Sequence, residues 1–198
     1  MLLLLEHPAV ITLGRNAERK NLLVQEDILK KRGVELYETD RGGDITFHGP
    51  GQLVGYPIVA LRKEERDVRA YMRCMEDSLI RLLAAFNIQS KRDAGYTGVW
   101  TENGKIAAMG VHISRWITRH GFALNVNTDL TFFDMIVPCG LTGKNITSMQ
   151  KQKDCCFDLQ SVAERYIQEF GSVFNRRMIP IEKKILMQKI ENFYSAKV

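Results

Sequence analysis

Few cysteines, few prolines and no long apolar run set the first bounds on this chain. Four cysteines in 198 residues (Cys74, Cys139, Cys155 and Cys156) are too sparse for a disulfide-stapled secreted scaffold. A reducing cytoplasm is therefore the expected setting, with thiols available for chemistry. The opening Leu2–Leu5 run is too short for a signal peptide, and no basic residue precedes it. Nothing approaches the ~18 consecutive apolar residues of a membrane span, so no membrane partner is expected. The net charge is +5 with a pI near 9.0, yet there is no Lys/Arg run and no interleaved aromatic pattern. Nucleic acid is therefore not an expected partner. A modest positive charge does suit an acidic protein, by steering the encounter.

Whole classes of chemistry are also missing. There is no GK[ST] loop, GxGxxG, GxSxG or HExxH, which removes the usual signatures of phosphoryl transfer, dinucleotide binding, serine hydrolysis and zinc proteolysis. Cys155 and Cys156 are vicinal, with no CxxC or histidine pair at metal spacing, which argues against zinc. What remains is an ordinary globular composition, 45% hydrophobic and 26% charged, with no repeat and no interdomain linker.

The most distinctive stretch is Arg41–Gln52, RGGDITFHGPGQ, which holds Gly42, Gly43, Gly49, Gly51 and Pro50. Glycine and proline exclude a regular helix there. The stretch reads as a Gly-rich loop between strands at 34–38 and 53–59: either a plain turn or a place where ligand meets backbone. Two strands flank a turn at Glu6–Pro8, with His7 read as a turn residue, and a short helix runs from Val24 to Lys31. The apolar positions Tyr71, Met72, Met75, Leu79, Leu82, Leu83 and Phe86 recur at helical spacing and predict a helix over 67–86. Asp67 is its N-cap and Asn87 its stop. Asn103-Gly104 between apolar runs predicts a hairpin with a type I′ turn, placing Lys105 first on the returning strand. A strand over 120–126, a helical turn over 129–135, a helix over 157–174 capped by Asp158 or Ser161, and a basic helix over 181–194 complete the pattern.

Two residue types carry potential chemistry. Cys139, held between Pro138 and Gly140, is either an inert packed thiol or a nucleophile. A nearby cation would favour its thiolate, and Lys105, Lys144 or a protonated histidine are the candidates. The small residues Ala107, Ala108 and Gly110 let another segment or a ligand approach the backbone closely.

Three blocks in order resemble the lipoyl(octanoyl) transferase family. They are RGGDITFH (41–48) with GPGQLVGYP (49–57), GKIAAMG (104–110) through HGFALN (120–125), and VPCG (137–140) followed by ITS (146–148). The resemblance implies an α+β fold of the biotin/lipoate protein ligase type: a mixed, mostly antiparallel sheet plus a smaller sheet, flanked by helices. It implies one catalytic domain over 1–198, without the strand and helix that ordinarily open the family's fold. The implied activity is transfer of an octanoyl group from the phosphopantetheine thiol of octanoyl-acyl carrier protein to a lysine of lipoyl domains. Those domains belong to 2-oxoacid dehydrogenases and the glycine cleavage H protein. Cys139 would carry the acyl group as a thioester and Lys105 would assist it. Arg41, Gly42, Gly43, Asp44, Ile45, Thr46, Phe47, His48, Ala108, Met109, Gly110, Gly121, Phe122 and Ala123 match the family's substrate-binding positions. No ATP, metal or other cofactor is implied. An ATP-dependent lipoate or biotin ligase, a lipoyl-domain amidotransferase and an inactive binding module are the competing readings.

Overall fold

The computed structural model describes residues 1–138 and 144–195; Cys139 and Gly140 lie outside them. Among the described residues nine strands form two sheets. The larger has the order β1 (Leu2–Leu5), β5 (Gln52–Pro57), β9 (Ile117–Asn125), β8 (Gly104–Ser114), β7 (Val99–Thr101), β6 (Lys91–Arg92). Every pairing in it is antiparallel. The smaller is β3 (Glu35–Glu38), β2 (Val10–Leu13), β4 (Ile45–His48), with β2 parallel to β3 and antiparallel to β4. This is the α+β arrangement expected from the resemblance. No helix among the described residues is long and apolar enough to cross a membrane.

Strand alternation gives each sheet two unlike faces. In the large sheet Leu53, Phe122, Leu124 and Ala107 point outward, where helices α2 (Val68–Ala85) and α4 (Leu159–Val173) cover them. Tyr166 of α4 is fully buried there, its ring 4.6 Å from Phe122 and its hydroxyl bonded by Ser78 of α2 at 3.2 Å. In the small sheet Ile11, Leu13, Ile45 and Phe47 form a second core with α1 (Glu26–Lys31) and the 3-10 turn Leu130–Met135. The remaining faces, lined by smaller or polar residues, look toward each other.

Local signals set the helix ends. The Asp67 carboxylate accepts from the backbone N–H groups of Arg69 (2.8 Å) and Ala70 (3.1 Å), and Asn87 closes α2 in the left-handed region at φ 57°. For α4, Asp158 is the cap, accepting from the Ser161 N–H at 2.9 Å. A short helix α3 (Met149–Lys153) and a basic α5 (Lys183–Ser195) complete the set.

Three expectations change. Arg41–Gln52 is not one loop, because Ile45–His48 inside it forms β4. Hydrogen bonding to β2 outweighs the flanking glycines. The hairpin at Asn103-Gly104 exists, but Thr101 pairs with Gly104, so Glu102 and Asn103 are the turn residues and neither has positive φ. Gly104, not Lys105, begins the returning strand and takes φ 137°; a Cβ there would collide with the Asn145 carbonyl. The two-residue turn with both φ positive lies instead at Arg115 (49°) and Trp116 (62°), so β9 starts at Ile117.

Candidate active site

Between the facing sides of the two sheets lies a cavity of about 350 Å³. Its floor is a stripe of small residues on neighbouring strands, Ala108 and Gly110 of β8 beside Ala123 and Gly121 of β9. Val54 and Tyr56 of β5 continue that floor. Val10, Thr12, Thr46 and His48 of the small sheet form the roof.

The Gly42–Gly43 segment clamps the roof to the floor. Gly42 N–H donates to Val111 O at 2.9 Å, and a Cβ on Gly110 would stand 2.5 Å from Gly42 O. Arg41 is buried and anchors this loop to β2, its guanidinium donating to Thr12 O at 2.6 Å and to Thr12 Oγ1 at 2.9 and 3.1 Å. Fixed in that way, the Arg41 side chain is part of the cavity wall.

A smaller recess adjoins the cavity and shares Thr46, Ala108 and Ala123 with it; Lys105, Gln52, Asn125, Pro138 and Ile146 complete its lining. Lys105 is 6% exposed, with Nζ 5.3 Å from the centre of the Trp100 ring, a cation–π distance. Gly98, at φ 127°, holds its backbone against this side chain: a Cβ there would lie 2.6 Å from Lys105 Cε. Gly98 is fixed in turn by Glu76 Oε1, which accepts its N–H at 3.1 Å. The Lys105 N–H is engaged by Asn145 O at 2.9 Å, so that amide is already used within the fold and is not open to an oxyanion. Lys144 pairs with Asp93 at 2.8 Å and lies over Tyr96 and Trp100.

A polar chain runs from this recess to the cavity. Thr147 N–H donates to Lys105 O (2.9 Å), Asn125 Nδ2 to Thr147 O (3.0 Å), and Gln52 Nε2 to Asn125 Oδ1 (2.8 Å). Gln52 also donates to Phe47 O, so its Oε1 is the acceptor facing His48 Nδ1 at 2.8 Å. The network thereby assigns the proton to Nδ1 and leaves Nε2 as an acceptor. Burial pushes the His48 imidazole down to about 4, with Arg41 and His7 acting in the same direction against the Gln52 bond. His48 is thus neutral at physiological pH. Next to it, His7 Nε2 and the Tyr56 hydroxyl are 2.6 Å apart. Burial lowers His7 and raises Tyr56, so both are neutral too, and the cavity wall carries polarity without charge at these positions.

At the cavity edge Asp40 collects His120 (2.6 Å), Arg119 (2.8 Å) and His112 (3.0 Å). The His120 hydrogen bond, more than the surrounding charges, holds the Asp40 carboxyl below its usual range. This cluster ties the β8–β9 ribbon to the residue before Arg41. Among the described residues no group of three or more His, Cys, Asp or Glu is arranged to hold a metal ion.

Of the residues singled out in the sequence, Arg41, Gly43, Thr46, His48, Ala108, Met109, Gly110, Gly121, Phe122 and Ala123 line the cavity and Lys105 the recess. Gly42 clamps the sheets. Asp44 holds the Asn21 side chain (2.6 Å), and Ile45 and Phe47 face the small-sheet core, Phe47 stacked 4.7 Å from Phe132. Ala107 belongs to the large-sheet core and reaches only the recess. His7, Val10, Thr12 and Tyr56 were missed. They come from strands or turns with no unusual composition, and only the stacking of one sheet on the other makes them neighbours.

Residues 1–171 match the family model for the lipoyl protein ligase A/B catalytic domain. The octanoyltransferase of Solibacter usitatus is 54% identical over 179 residues, 90% of this chain and 80% of that protein. The octanoyltransferase of Acidobacterium capsulatum is 50% identical over 196 residues, 91% of this chain and 80% of that protein. Among solved structures, a bipartite lipoate protein ligase of Thermoplasma acidophilum, described together with its E2 lipoyl domain, superposes with a TM-score of 0.75. That superposition covers 92% of this chain and 75% of that one at 18% identity, a likeness of fold alone. With the family model spanning most of the chain and identities near half to octanoyltransferases, the protein belongs to the lipoyl protein ligase A/B catalytic-domain family, among its octanoyltransferases.

Proposed function

We propose that this protein moves an octanoyl group from octanoyl-acyl carrier protein to a lysine ε-amine of a lipoyl domain, with Cys139 as the covalent relay. The observation that carries this reading is the junction of the two spaces. An apolar-floored cavity adjoins, through Thr46, Ala108 and Ala123, a recess lined by Lys105 and Pro138. Cys139 is the next residue after Pro138, one Cα step of about 3.8 Å along the chain. The acyl chain would lie along the small-residue floor, each buried methylene contributing about 0.8 kcal/mol. The thioester carbonyl would stand at the recess.

The chemistry divides into two displacements. The Cys139 thiolate, favoured by the Lys105 cation, attacks the donor carbonyl. A new C–S bond forms, the old one breaks, and the carrier sulfur leaves and takes up a proton. The acceptor amine then attacks the Cys139 thioester; a C–N bond forms, the C–S bond breaks, and the amine's proton passes to the departing sulfur. One thioester is consumed and one amide and one thiol are made, so the transfer needs neither ATP nor a metal. The reading sets the reaction in a reducing cytoplasm, where the Cys139 thiol stays free for chemistry.

Incubation with octanoyl-acyl carrier protein in the absence of ATP should add one octanoyl mass to the protein, labile to hydroxylamine and absent from Cys139→Ala. Obligatory ATP together with an active Cys139→Ala protein would overturn the reading.

A further inference from the structure

Among the described residues three charged side chains are buried: Arg41, Lys105 and Glu76. The first two belong to the cavity and the recess. Glu76 lies on α2, over the outward face of the large sheet, and the other buried residues of that helix carry no charge. A buried carboxylate is costly unless its oxygens are engaged. Here both are. Arg92 Nε donates to Oε2 at 3.0 Å, and the Gly98 N–H donates to Oε1 at 3.1 Å. Arg92 is also held by Asp77 and by Arg73 O, so its place does not depend on Glu76 alone.

Gly98 connects this carboxylate to the recess. A Cβ on Gly98 would lie 2.6 Å from Lys105 Cε and 3.3 Å from its Nζ, so the Gly98 backbone walls one side of the Lys105 side chain and the Trp100 ring another. The strand that carries Lys105 is shaped for the same slot. Val99 pairs with Ala107 and Trp100 with Lys105, which leaves Ile106 as an extra residue, a β-bulge. Ile106 and Ala107 both belong to the core under the helices, and strict alternation would have sent Lys105 there with Ala107. The bulge turns Lys105 the other way, into the recess.

We propose that Glu76 is a positioning residue for the transfer: through the Gly98 N–H it holds the backbone wall against which the Lys105 ammonium is set. The inference rests on the transferase reading, in which Lys105 favours the Cys139 thiolate. Glu76 acts through Gly98 and not on the reacting bond. Released from Glu76, the Gly98 segment shifts, the ammonium follows, and the thiolate loses a cation held at a fixed distance. Neither Glu76 nor Gly98 lines the cavity between the sheets, so binding of the acyl chain is spared.

Two conservative variants of the full-length protein separate the two bonds of Glu76. Glu76→Gln keeps the reach, with an amide oxygen for the Gly98 N–H, and gives up the charge that pairs with Arg92. Glu76→Asp keeps the charge and, one methylene shorter, gives up the Gly98 bond. Glu76→Asp should lower kcat for octanoyl transfer by about ten-fold with little change in donor KM. It should also slow iodoacetamide alkylation of Cys139, by less than the loss of Lys105 itself does. Glu76→Gln should retain most of both rates. In a Lys105→Ala background Glu76→Asp should have no further effect on alkylation. Wild-type rates in Glu76→Asp, a lower kcat in Glu76→Gln than in Glu76→Asp, or an effect of Glu76→Asp that persists without Lys105 would overturn the proposal. Glu76 would then be only a structural partner of Arg92. A wild-type protein that takes no acyl group from octanoyl-acyl carrier protein would overturn the transferase reading instead, and the alkylation cycle would still decide whether Glu76 sets Lys105.

Discussion

His48 Nδ1 and Gln52 Oε1 are 2.8 Å apart, and this bond ends a hydrogen-bonded chain that begins at the Lys105 carbonyl. It fixes one tautomer of a neutral imidazole on the cavity wall. In the folded protein His48 titrates at about 4, against an ordinary 6.5. Between those values the unfolded chain binds more protons, so stability falls as pH drops from 6.5 towards 4. His7, also lowered by burial, adds to the same trend. The urea midpoint of the native protein should therefore drop between pH 7 and pH 5 by more than that of His48→Gln. Equal drops would show that His48 is not held neutral.

Ala123 lines both the cavity and the recess, at the junction the proposed acyl chain would cross. Ala123→Leu should shorten the accepted chain. Yields of the Cys139 adduct should fall about four-fold for each methylene denied its site, with octanoyl affected more than butanoyl. Competition between donors of different length, read by intact mass, measures this; an unaltered length profile would mean the chain lies elsewhere.

Gly98→Ala should separate catalysis from binding. The added methyl meets Lys105 Cε and Ala107 O, both at 2.6 Å, in a backbone conformation of φ 127°. Displacing the ammonium should reduce kcat by about a hundred-fold with little change in donor KM, and lower stability by about 1–3 kcal/mol. A KM effect alone would contradict the placement of Lys105 at the reacting bond.

Lys105→Ala should slow alkylation of Cys139 by iodoacetamide at pH 7 by about ten-fold, because the thiolate loses its neighbouring cation. Peptide mapping distinguishes Cys139 from Cys155 and Cys156, which are exposed. Identical rates in the two proteins would remove Lys105 from that role.

Much of the fold is legible in the sequence because the signals are local. The apolar spacing of α2 and α4 and the Asp67 and Asp158 caps act within a few residues, and the structure has them where the pattern puts them. The Arg115–Trp116 turn was invisible for the converse reason. It holds two residues with positive φ that are neither glycine nor asparagine, forced by the long β8–β9 pairing rather than by their own preference. β4 was hidden by the glycines on either side of it. In the site, Thr46 and His48 were found with Ile45 and Phe47 as one block. Strand alternation then divides the block, sending the first pair to the cavity and the second to the core. His7 and Tyr56, 49 residues apart, meet only because β1 and β5 are neighbours, a fact no short-range pattern contains.

The large sheet turns bulky side chains outward under its helices and leaves a stripe of small ones, Ala108, Gly110, Gly121 and Ala123, along the seam between the sheets. Under the proposed transfer, a fatty chain lying in that seam would contribute packing that the polypeptide itself does not provide, so the substrate would serve as a removable strip of hydrophobic interior. The acylated protein would then be the better-packed form, and delivery of the octanoyl group to its acceptor would loosen the enzyme as it releases the product.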